Sequence, residues 1–143
     1  MPIVGNDSRT GFGKLGIEHV GSLIARGVLI DVAALKGLPM LPDSYEVTPQ
    51  DLEKALGRQK QILKPGDAVL IHTGWGRLWN VDNARYSKTS PGIVIAAAEW
   101  LAKRDQLLVG ADNGPVEVSP NFARPHRAAL SRRARSRPNA GRG

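Results

Sequence analysis

Three short apolar runs constrain this 143-residue chain more than anything else in it: GVLIDVAAL at 27–35, AVLIHTG at 68–74 and LLVGA at 107–111. Each reads as a strand: the first, short and rich in branched side chains, as one buried on both faces, the second as another buried strand, and the third as the last of the set. A helical pattern stands between each pair of runs. Strand, helix, strand, helix, strand is the order of an α/β fold, and strands separated by crossovers of this length pair at least partly in parallel.

The first helical pattern, TPQDLEKALGRQK at 48–60, has clear boundary chemistry. Thr48 can cap free N–H groups, Pro49 fits the first turn, and Asp51 stands where the acid of a capping box belongs. Leu52, Ala55, Leu56 and Gln59 then make a mostly apolar stripe. The second pattern opens with Ser90 and Pro91, which repeat the cap-plus-proline signal. It places Ile93, Ala97, Trp100 and Leu101 on one face, with Lys103 and Arg104 at the negative end. Between the strands, 36–47 and 74–90 read as loops, the second holding Trp75 and Trp79. Residues 1–25, interrupted by Gly11, Gly13, Gly16 and Gly21, read as loop with one turn near 17–23.

Charge divides the chain near Pro120. The total is 20 Lys+Arg against 13 Asp+Glu. Residues 121–143 contain seven arginines and no carboxylate, so they carry the whole net charge of +7. The expected division is an α/β domain at 1–120 and an Arg-rich, disordered tail at 121–143. The tail's Ala, Arg, Gly, Pro and Ser vocabulary is what GC-rich DNA yields out of frame, so a shift of reading frame near 121 is expected. A nucleic-acid arm is the competing reading. With no aromatic after Phe122, only non-specific, salt-sensitive binding to nucleic acid is expected of it.

No cysteine is present, which removes disulfides and Cys-ligated zinc. No apolar run reaches the roughly 18–20 residues that span a bilayer, and the first residues lack a secretory pattern. A cytoplasmic protein without membrane contact is expected.

In open α/β sheets ligands bind beyond the carboxyl ends of strands. Polar groups stand at three such ends: Asp31; His72 with Thr73; and Asp112 with Asn113, followed by Glu117. One reading gathers His72, Asp112 and Glu117 around a small polar pocket walled by Trp75 or Trp79. The other leaves Asp112 and Asn113 capping a turn and His72 as a hydrogen-bonded strand residue. The three histidines, His19, His72 and His126, have no metal-ligand spacing, and no set of three ligands can be assembled from spacing alone.

A longer series of phrases carries a resemblance. RGVLIDVAALKG, YEVTPQDLEKAL, LKPGDAVLIHTGWGRLW, SPGIVIAAAEWLAKRD and LVGADNGPVEVSPN occur in this order, and GIEHVGSLIARGVL extends the series back to about Gly16. The series resembles the central region of the cyclase family, metal-dependent hydrolases related to bacterial kynurenine formamidase and isatin hydrolase. The resemblance implies a mixed sheet with flanking helices in a swivelling β/β/α domain, incomplete here at both ends. It also implies homo-oligomers, a zinc or manganese ion, and hydrolysis of amide or formamide C–N bonds, with N-formylkynurenine in tryptophan catabolism as the best-known substrate.

The family's metal motif, His-x-Gly-Thr-His-x-Asp, lies upstream of the matched region. ARPHRAAL resembles part of a second half-site through Pro125, His126 and Leu130, but no Asp or Glu follows His126. Asp112 and Glu117 match acidic positions of the family without a metal role attached to them, and Gly114 replaces a bulky residue. The resemblance therefore implies a truncated and inactive hydrolase that holds no metal of its own. A non-catalytic interaction or oligomerisation module is the alternative.

Overall fold

The computed structural model describes residues 20–120. The expectations for residues 1–19, for His19 and His126, and for the Arg-rich tail and its reading frame lie outside the described residues. Among the described residues five strands and four α-helices alternate: β1 (Gly27–Asp31), α1 (Val32–Leu35), β2 (Glu46–Val47), α2 (Pro49–Gln59), β3 (Ala68–His72), α3 (Asn83–Lys88), β4 (Gly92–Ile93), α4 (Ile95–Ala102) and β5 (Leu108–Ala111). The strands form a three-stranded sheet in the order β1-β3-β5 and a two-stranded sheet of β2 with β4. Every strand pair among the described residues is parallel, with Leu29 opposite Leu70 and Asp31 opposite His72. This is the α/β class with flanking helices expected from the alternation of patterns.

Helix α2 starts as its sequence requires. The Thr48 side chain accepts from the Asp51 N–H, and the Asp51 carboxylate accepts from the Thr48 N–H at 3.1 Å, so the box is reciprocal. At the far end Lys60 takes the left-handed conformation and closes the helix. The apolar stripe, Leu52, Ala55 and Leu56, packs with Val28, Ile30, Val69, Ile71, Ala97 and Leu101 into one core between sheet and helices.

Four expectations change. The first apolar run is not one strand: Asp31 ends β1 and turns the chain, its carboxylate accepting the Ala34 N–H at 2.8 Å to cap α1. Nor is the strand in the first run buried on both faces, and its neighbours are not either. Val28, Ile30, Val69 and Ile71 are buried, whereas Leu29 (49%) and Leu70 (45%) on the opposite face are exposed, as is Leu108. The helices that supply the core lie against one face of the sheet.

Ser90 does not cap a helix. It is buried and exchanges backbone hydrogen bonds with Ser119, Gly92–Ile93 form β4, and α4 begins at Ile95 after Val94, without a side-chain cap. The loops at 36–47 and 74–90 hold regular structure too, namely β2 in the first, and a 3₁₀ turn at Trp75–Leu78 and helix α3 in the second. Among the described residues no helix is long and apolar enough to cross a membrane.

Candidate functional site at the carboxyl ends of the strands

Because β1 and β3 pair Asp31 with His72, the pleat puts both side chains on the outward face of the sheet, the face of Leu29 and Leu70. Asp112 follows β5 directly and reaches the same edge. His72 stands between the two acids. Its Nδ1 lies 3.0 Å from Asp31 Oδ1, and its Nε2 lies 3.7 Å from Asp112 Oδ2. The first is a hydrogen bond; the second is beyond hydrogen-bonding range.

Each acid is anchored elsewhere as well. Asp31 Oδ1 also receives the Ala34 N–H, and Gln59 of α2 binds the Asp31 N–H and the Leu29 carbonyl. Burial pushes the Asp31 carboxyl up, but hydrogen bonds from His72 and the Ala34 N–H, with the charges of His72 and Arg58, outweigh it and hold the group below the usual carboxylate range. Asp112 Oδ1 accepts the Thr73 N–H at 2.8 Å and the Thr73 hydroxyl at 2.6 Å, while Oδ2 takes a long contact, 3.4 Å, from the Gly76 N–H. Asp112 therefore caps the turn that enters the 3₁₀ segment after β3, rather than its own turn. Gly76 is needed there, since a Cβ would sit 2.9 Å from the Asp112 carbonyl oxygen.

Of the residues expected around a pocket, His72 and Asp112 are brought together. Trp75 is fully buried, with the Arg85 guanidinium carbon 5.2 Å from its ring centroid, and presents no wall to a ligand. Trp79 is exposed and meets Tyr86 edge-on, with ring centroids 5.2 Å apart. Glu117 belongs to the second sheet, where its backbone bridges Ile93. Asn113 turns inward, its Nδ2 donating to Ser90 Oγ at 2.7 Å and to the Pro91 carbonyl. Asp31, noted only as a strand-end residue, proves to be the partner of His72. The signal was the equal register of the two strand ends, which places residue 31 beside residue 72 once the strands are known to be parallel.

A catalytic metal ion needs about three protein ligands. Among the described residues no three His, Cys, Asp or Glu side chains converge to hold one. The donor set here does not fit that task, because Asp31 is spent on His72 and α1, and one oxygen of Asp112 on Thr73.

Comparison with known proteins places the chain. The family described as "Putative cyclase" matches residues 9–118. A crystal structure titled as that of a novel cyclase is 37% identical, covers 70% of this chain and superposes with a TM-score of 0.64. Isatin hydrolase A from Ralstonia solanacearum is 22% identical over 72% of the chain, with a TM-score of 0.57, and shares the fold. The matches cover only 35% and 40% of those two structures, so the chain spans well under half of their length. No curated protein matches it. The ordered match over residues 9–118, with the superposition on a cyclase structure, shows that this chain belongs to the cyclase family.

Proposed function

We propose that the chain is a cyclase-family relative of the metal-dependent hydrolases that cleave C–N bonds in amides and formamides, arylformamidase-like in substrate class, and that by itself it does not complete the reaction. A bound zinc or manganese ion would supply the polarised carbonyl and activated water of such a reaction. Family membership supports the hydrolase reading. The observation that carries the second half is the state of the strand-end row among the described residues: Asp31 is hydrogen-bonded to His72 and the Ala34 N–H, and Asp112 to Thr73. Since three ligands do not converge in residues 20–120, no hydrolytic step is assigned to them. A cytoplasmic setting, compatible with a chain that has no cysteine, belongs to this reading. The test is turnover of N-formylkynurenine by the purified chain with and without zinc or manganese.

A second reading, an oligomerisation module, is favoured by the outward face of the sheet. Parallel sheets are normally covered on both faces, and here Leu29, Leu70 and Leu108 are exposed on one. Sedimentation of the chain beside a Leu29→Lys/Leu70→Lys variant tests it. An assembly that the variant abolishes supports the module, and a monomer in both cases removes it.

A further inference from the structure

We propose that Asn113–Gly114 is a self-modification site that records unfolding. The fold keeps Asn113 as an amide; a chain that opens converts it to aspartate or isoaspartate and no longer closes with its original stability. This goes beyond the hydrolase reading and does not depend on it.

Asn113 is the one asparagine of the chain that precedes a glycine. The backbone nitrogen of the following residue can attack an asparagine amide, and glycine, with no Cβ and a freely turning backbone, hinders the attack least. The Gly114 nitrogen gives its proton to hydroxide and bonds to Asn113 Cγ. The Cγ–Nδ2 bond breaks, and Nδ2 leaves as ammonia with a proton from water. Water then opens the succinimide ring at either carbonyl, giving aspartate or isoaspartate. Overall, water is consumed and ammonia released.

The folded chain holds this chemistry off. Asn113 is only 8% exposed, and its Nδ2 donates to Ser90 Oγ at 2.7 Å and to the Pro91 carbonyl. A carbonyl oxygen can only accept, so the group facing Pro91 has to be the amide NH₂. Nδ2 is also the leaving group, so both bonds must break before it departs. Conversion therefore tracks the fraction of chains that are open, as proteolysis of a folded protein does.

The product does not fit the place the amide left. Aspartate would set a carboxylate oxygen against the Pro91 carbonyl, acceptor on acceptor. The Ser90 hydroxyl already donates to that carbonyl at 3.0 Å, and it can serve the new charge only by giving the carbonyl up. Asn113 Oδ1 is itself buried with no hydrogen-bond partner among the described residues, so the second carboxylate oxygen finds no donor there either. Isoaspartate also adds a carbon to the backbone, just before the bridge of Glu117 to Ile93. Asn113 follows β5 and grips the residues that enter β4, so either product loosens the link between the two sheets.

The experiment is peptide mass spectrometry with isoaspartate detection on the full chain, incubated in mildly alkaline buffer with and without urea. In urea Asn113 should be the first asparagine to convert, and the folded chain should convert it about 10-fold more slowly or less. Gly114→Ala should slow conversion in urea by about 10-fold or more; Gly114 has open space around it and no left-handed φ, so the fold tolerates the methyl group. Asn113→Asp, the aspartate product made directly, should lower the folding equilibrium constant at neutral pH by about 100-fold or more, the size of an uncompensated buried charge. Asn113→Ala, which loses the bonds without adding the charge, should lose clearly less, and the gap should close as falling pH protonates the carboxylate. If neither Asn113 variant folds, the rates in the parent chain and in Gly114→Ala decide. Equal conversion of Asn113 with and without urea, a rate in urea unchanged by Gly114→Ala, or Asn113→Asp as stable as the parent chain at neutral pH would overturn the proposal.

Discussion

Asp112 binds Thr73 twice across 39 residues of sequence, through the Thr73 N–H at 2.8 Å and its hydroxyl at 2.6 Å. Thr73 is completely buried, so both donors would lack a partner without this carboxylate. Asp112→Ala should therefore destabilise the fold by about 2–4 kcal/mol, and Asp112→Asn, which keeps an acceptor oxygen, by clearly less. Urea denaturation of the full chain measures the difference. Equal losses in both variants would show that the two bonds to Thr73 do not matter.

Asp51 makes stability depend on pH. Burial pushes its carboxyl up, but Lys36 at 2.6 Å and the N–H and hydroxyl of Thr48 outweigh burial and hold it below the ordinary range. The folded value is thus lower than the unfolded one, near 3.9. Its contribution is complete above the unfolded value and is lost as pH falls through the folded one. Denaturation midpoints should drop as pH falls below about 4, and Asp51→Asn should be less stable at neutral pH with a shallower acid slope. An unchanged slope would contradict the assignment.

The two faces of β3 should respond oppositely. Ile71 is in the core, and Ile71→Ala should cost about 2–4 kcal/mol. Leu70 is on the outward face, and Leu70→Lys should change stability by no more than about 0.5 kcal/mol. Thermal melts of both variants decide whether the core lies on one face of the sheet or on both.

Gly92 admits no side chain. A Cβ there would meet the backbone of Glu117 and lie 2.6 Å from the Val116 carbonyl oxygen, where β4 passes the segment after β5. Gly92→Ala should destabilise by about 3 kcal/mol or more through backbone displacement, whereas Gly57→Ala, exposed on α2 with open space around it, should be stabilising by about 0.5–1 kcal/mol. Similar effects at both positions would refute the close approach.

What the sequence shows and what it hides follow from where the chemistry is local. Helix α2 is legible because Thr48, Pro49 and Asp51 act on their own neighbours. The three strands are legible because their apolar runs are short and bounded by turns. Helix α1 is hidden, since Val32 to Leu35 continue the branched, apolar run and only Asp31 breaks it. Ser90 and Pro91 mislead because a serine buried against Ser119 looks locally like a cap, while the true start at Val94 uses no side chain. The strand-end row was half visible: Asp31, His72 and Asp112 could each be named from position. Their union depends on the parallel register of β1, β3 and β5, a long-range fact that no local pattern carries.

With Asp31 bound to His72 and Asp112 to Thr73, the chain is expected not to hydrolyse a formamide by itself. The direct measurement is the rate at which the purified 143-residue protein, stripped and then supplied with zinc or manganese, converts N-formylkynurenine. The predicted result is a rate equal to that of the same metal in buffer alone. Metal-stimulated turnover that His72→Gln abolishes would contradict it.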